Sequence, residues 1–172
     1  FLFAAVWSAG SVMEVAAVDL ATKIFWFKFQ AAWKLPTVSA ITCFILDYTW
    51  PGRWLTKRNL TLLSIGVLLG WGLIITNDFH HWVWRDFLFD GTITPLINTG
   101  GWLLIAYGYG LTIVNIIALA WLFLHSRQHR WPIVLIVTSQ LAIRALYLLE
   151  RTQVVQSVLP LDILGIGFGC LI

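Results

Sequence analysis

Asp78, His80, His81 and Asp86 lie within nine consecutive residues, "DFHHWVWRD", at the end of a strongly apolar run. Carboxylates and imidazoles this close can bind a metal or exchange protons near neutrality. The spacing matches no zinc or other metal signature. A haem held by two imidazoles needs them on facing helices, and adjacent histidines cannot cap opposite faces of one ring. His125 and His129 stand at the far end of a different apolar block. Two readings remain open: a solvated helix end, or an outer rim in which His80 responds to pH or ligand.

Charged groups inside the apolar blocks are the second set able to do chemistry. Each costs about 2.5–3.5 kcal/mol on insertion scales and needs a partner or a purpose. Glu14 is the deepest acid and Arg144 the deepest base. Gln140, Arg144, Tyr147 and Arg151 recur at helical spacing on one face. Glu14 and Arg144 fall at similar depth, so they are expected to pair, either as a structural ion pair or as part of a polar cavity. The final apolar segment, 159–172, has no lysine for a retinal Schiff base. No phosphate loop, nucleophile elbow or zincin helix occurs. No cofactor, no metal and no catalytic residue is expected in this chain.

The elements that must position these groups are spans. Hydrophobic residues make up 59% of the 172 residues and charged ones 11%, with a mean hydropathy of +0.83. Soluble domains carry about a quarter charged residues. The apolar blocks run to about twenty residues, the length that crosses ~30 Å of hydrocarbon as helix. Spans are expected at 1–20, 31–50, 59–78, 98–124, 131–150 and 159–172, the last too short to cross. "WPGRW" is a turn, Thr56 or Asn59 caps the helix after it, and "NTGG" (98–101) opens the fourth span. The class is all-α: a polytopic transmembrane bundle, one domain over 1–172, with six spans of a seven-helix whole. The chain starts inside an apolar run without Met, and continuation at both ends is expected.

A net charge of +3 spread over short loops gives no nucleic-acid patch. Cys43 and Cys170 are isolated and read as small apolar residues. Loops 51–58 and 125–130 hold basic residues without acidic ones, which places them in the cytoplasm and 79–97 outside. Trp26, Trp33, Trp82, Trp84 and Trp102 then fall at the outer headgroup level, and Trp50, Trp54, Trp121 and Trp131 at the inner one.

Several stretches, in order, resemble the N-terminal seven-helix sensor region of membrane histidine kinases. They are the helix with Glu14, "KLPTVSAITCFILDYTWPGRWLTKRN", the span closing on "TNDFHHW", "GGWLLIAYGYG" with Tyr107 and Tyr109, and "LPLDILGIGF". The family pattern Thr-Asn-x-x-His-x-x-x-Trp falls on Thr76, Asn77, His80 and Trp84, and the Leu-Asp of the last helix on Leu161 and Asp162. The chain departs from the family at Gly165, where a proline is usual, and in lacking a mid-helix proline within 133–149.

The resemblance implies the family's second to seventh helices, an N-terminus outside before the first, and a signal-input domain in the lipid bilayer. It implies a cytoplasmic kinase or other output module in the same chain, a homodimeric parent and an unidentified small ligand. Glu14, Asn77, His80, Tyr107, Arg144 and Asp162 are the expected ligand-binding residues. A diguanylate cyclase sensor, or a small transporter or channel fragment, are the alternatives.

Overall fold

The computed structural model of the chain describes residues 2–90, 92–126 and 130–151. Helices α1 (Leu2–Ala16), α2 (Leu20–Thr49), α3 (Lys57–Ile75) and the single turn α4 (Asn77–His80) lead into a hairpin of β1 (Trp84–Asp90) and β2 (Thr92–Ile97). Helices α5 (Thr99–His125) and α6 (Arg130–Arg151) follow. Two compact units divide within α5: Leu2–Asn115, and the residues from Ile116 on.

Among the described residues α2, α3 and α5 are long and apolar enough to cross a membrane, and α1 is a shorter apolar helix. The helical, polytopic class therefore stands. The expected sixth span, 159–172, lies outside the described residues. On α3 the side chains of Leu62, Leu68, Leu69 and Ile75 are exposed, as lipid-facing positions are.

The second span begins eleven residues earlier than expected, at Leu20 instead of 31. No proline or glycine interrupts Leu20–Leu35, and Asp19 caps the start by accepting from the Thr22 N–H at 2.7 Å. That bond, first among its causes, holds the Asp19 carboxyl below the usual carboxylate range. Lys23, Lys28 and Lys34 are therefore all helical, the first two where a loop is expected. Their cations lie over the rings of Phe89, Phe87 and Trp7, respectively, at 5.1–5.8 Å.

Pro36 sits inside α2 and has no N–H to give the Ala32 carbonyl. The indole of Trp71 on α3 donates to that oxygen at 2.7 Å. In lipid no water can do so, and the interhelical bond answers an acceptor that the proline orphaned. Trp33 stacks edge-on against Trp71 in the same place, at 5.4 Å between ring centres. Trp33 thus takes part in the contact between α2 and α3.

Small residues set the helix contacts of the first unit. A Cβ on Gly66 would lie 2.8 Å from the Tyr107 ring of α5, and one on Gly70 would overlap Leu35 of α2. The Gly66-x-x-x-Gly70 pair thus lets two different neighbours approach α3.

The expected 79–97 loop contains an antiparallel hairpin, pairing Asp86 with Leu96 through to Asp90 with Thr92. Asp-Gly between strand-favouring residues in "FLFDGTIT" is the sequence signal for it. An irregularity between Trp84 and Asp86 sets Arg85 as the extra residue of a bulge. Both strands are edges, so Pro95 opposite Phe87 is tolerated.

Candidate functional site

Asn77 is 1% exposed and its amide is bonded to backbone. Oδ1 accepts from Val83 N at 2.8 Å and Trp84 N at 3.0 Å, while Nδ2 donates to the Trp84 carbonyl at 3.1 Å. One side chain thus ties the end of α3 to the first residues of the hairpin. The turn between them closes with His81 in the left-handed region, φ 50°, its N–H donating to the Asn77 carbonyl at 2.7 Å.

Thr76 and His80 form a second link of this clasp. The Trp82 N–H donates to His80 Nδ1 at 3.0 Å, so that nitrogen carries no proton. The proton is then assigned to Nε2, which donates to Thr76 Oγ1 at 2.9 Å, and the hydroxyl donates to the Gly72 carbonyl at 2.6 Å. Trp84, 7% exposed, packs with Leu35, Ile74 and Val83 and meets Phe27 edge-on. It is a core residue of the hairpin end. The pattern Thr76, Asn77, His80 and Trp84 is therefore one structural unit at the hairpin end of α3.

Asn98 fastens the other side. Its amide donates to the His81 carbonyl at 3.0 Å and accepts from Thr99 N at 2.8 Å, and its own N–H donates to the Val83 carbonyl at 2.9 Å. Gly100 N donates to the Trp82 carbonyl at 3.0 Å. A Cβ on Gly101 would lie 2.5 Å from the Val83 oxygen. That close approach is why "NTGG" opens α5 with glycines.

Two other polar groups lie between helices of the same unit. Glu14 accepts from Gln30 Nε2, and Gln30 Oε1 accepts from Ser11 Oγ at 2.7 Å. Gln30 and Ser11 are buried, and Glu14 is partly so. Tyr107 donates to the Leu63 carbonyl at 3.3 Å, and its hydroxyl meets Ser39 Oγ at 3.2 Å. This joins α5 to α3 and α2 inside the span.

Of the expected site residues, Asn77 and His80 share one clasp, while Glu14 and Tyr107 belong to two separate groups. Arg144 falls within α6 with its side chain outside the described residues, as Asp162 is altogether. The pairing of Glu14 with Arg144 therefore lies outside them too. Gln30 and Lys28 were missed; Asp78, weighed only as a metal ligand or proton carrier, instead forms an ion pair with Lys28 from α4 to α2. Lysines at 28 and 34 flanking Gln30 in an aromatic run hid a helix face behind the look of a loop. Among the described residues no three His, Cys, Asp or Glu side chains gather to hold a metal.

Apolar helices of spanning length, stapled by polar side chains within the bundle and at a hairpin-bearing end, define a polytopic helical membrane domain. The chain belongs to the family described as the N-terminal 7TM region of histidine kinase, whose family model matches residues 1–171. No curated protein and no solved structure matches it. Membership makes this stretch a membrane-embedded sensory domain of the kind found at the N-terminus of histidine kinases.

Proposed function

We propose that the chain is the signal-input domain of a two-component histidine kinase, and that the state of its hairpin end is passed through the last helix to a cytoplasmic kinase. The observation that carries this is the clasp of Thr76, Asn77 and His80, which joins α3, the hairpin and the start of α5 through a few directional bonds. Such an element has two discrete arrangements, bonded and broken, and a stimulus biases it by its differential affinity for the two. Protonating His80 at Nδ1 would remove the acceptor of the Trp82 N–H, giving an aqueous signal one route in.

The proposed ligand-responsive residues are Glu14, Asn77, His80, Tyr107, Arg144 and Asp162, acting in a homodimeric parent. Loops 51–58 and 125–130 face the cytoplasm, and 79–97 the outside. The test is autophosphorylation of the full-length protein in sealed vesicles, with His80→Ala and Tyr107→Phe compared against the parent. Each variant should shift basal autophosphorylation by about threefold or more, equivalent to roughly 0.7 kcal/mol, while still folding. Output unchanged by both would overturn the reading. Labelling of single cysteines at positions 55 and 88 from the outside tests the sidedness: only 88 should react.

A further inference from the structure

Two hollows of the first unit meet at Lys28. One is an apolar groove of about 370 Å³ between α2 and α3, walled by Phe25, Phe29, Trp33, Trp71 and Ile75. The other, about 230 Å³, is polar, and Asn77, Asp78, Arg85 and Asp86 line it. Lys28 lines both, so an apolar hollow and a charged one border the same side chain. The size of the groove falls within the roughly 300–1,000 Å³ of small-molecule sites.

The charged hollow is built, and its charges balance. A regular strand would send Arg85 and Asp86 to opposite faces. The bulge at Arg85 instead lets Trp84, Arg85, Asp86 and Phe87 all line one hollow. Lys28 and Arg85 supply two positive charges, Asp78 and Asp86 two negative. Asn77, buried beneath them, uses one of its two Nδ2 hydrogens among the described residues. A head of one sign would leave the opposite pair unanswered. A head carrying a phosphate beside a primary ammonium answers both, the phosphate accepting from cations and the ammonium donating to carboxylates. A quaternary ammonium could not donate.

We propose that the two hollows together bind one phospholipid with a phosphoethanolamine head, from the leaflet on the hairpin side. One acyl chain lies in the groove, the phosphate meets Lys28 and Arg85, and the ammonium meets Asp78 and Asp86. Entry of the head replaces the Lys28–Asp78 ion pair, itself solvent-accessible at the Asp78 end. Occupancy therefore acts on α4, the turn that carries Asn77 and His80. Binding rests on the geometry alone; that it is signalled rests on the function proposed above.

The test is native mass spectrometry of the full-length protein released from micelles holding equal phosphoethanolamine, phosphoglycerol and phosphocholine lipids of the same chains. The phosphoethanolamine lipid should be retained at least fivefold over either other. Arg85→Gln and the groove-filling Ile75→Trp should each abolish the preference. Leu62→Trp, at an exposed position that lines neither hollow, should preserve it. Equal retention of the three lipids, or a preference that survives both Arg85→Gln and Ile75→Trp, would overturn the proposal. So would displacement of the lipid by tail-free phosphoethanolamine at equal concentration. Kinase activity in vesicles with and without phosphoethanolamine lipid is read separately: retention without any kinase response keeps the site and counts against its signalling role.

Discussion

Trp71→Phe isolates the bond between a tryptophan and a proline-orphaned carbonyl. The substitution keeps an aromatic ring beside Trp33 but deletes the Nε1 donor to Ala32 O, a 2.7 Å bond. A buried carbonyl left unpaired costs about 1–3 kcal/mol. Interhelical bonds in membranes measured by double-mutant cycles average about 0.6 and reach about 1.7 kcal/mol. The upper end applies here, because Pro36 cannot supply the acceptor's usual helical partner. Pro36→Ala restores that N–H, and the carbonyl then no longer depends on Trp71. The cycle of Trp71→Phe, Pro36→Ala and the double variant, unfolded reversibly in mixed micelles, should give a coupling of about 1.5 kcal/mol. Packing lost with the smaller ring occurs in both backgrounds and cancels. If Trp71→Phe costs the same with alanine at 36 as with proline, the pairing of donor to orphan is refuted.

Asn77→Ala should lower stability by about 3 kcal/mol, since it unpairs buried backbone groups of Val83 and Trp84; unfolding midpoints that move by less than a third of that would count against the clasp. Gly66→Ala should cost about 1–3 kcal/mol by forcing the Tyr107 ring aside, whereas Gly72→Ala, with nothing within 4 Å of its Cβ, should be neutral or slightly stabilising. The same unfolding assay decides, and equal costs would refute the packing. The Asp19 carboxyl has a lowered folded-state pKa, so its capping of α2 is fully present above the ordinary carboxylate value. That contribution is lost as pH falls through the folded value. Amide-exchange protection factors at Thr22 and Lys23, corrected for the intrinsic pH dependence, should fall on acidification through that window, and Asp19→Asn should flatten the dependence; an identical profile in the variant would remove Asp19 as the cause.

How far the sequence spoke differs by element. Block length and the turn at "WPGRW" located α5 to within one residue and α3 to within three residues of their ends, since lipid admits few alternatives to helix. The start of α2 was illegible because Lys23 and Lys28 resemble a loop until their cations are placed over rings. The hairpin was signalled by Asp90-Gly91 between strand-favouring residues but masked by the unbroken Phe87-Leu88-Phe89 and its position beside aromatic belts. At the site, the types of Thr76, Asn77 and His80 were visible, but that they bond mainly to backbone depends on the left-handed turn at His81. Nothing in spacing alone reveals such a turn. Pro36 was the most informative residue left unused: a proline inside a span predicts an orphan carbonyl four residues earlier, and hence a donor on a neighbour.

The three backbone-directed bonds of Asn98 and Gly100 have a kinematic consequence. They make the link from α3 to α5 a strut of fixed length, held flush by glycines that leave no slack. Sliding α5 along its own axis against α3 would break all three at once, together with the Tyr107 bond to Leu63. Swivelling about the strut breaks far fewer. The soft degree of freedom at this joint is therefore torsion, and the stiff one is the piston stroke.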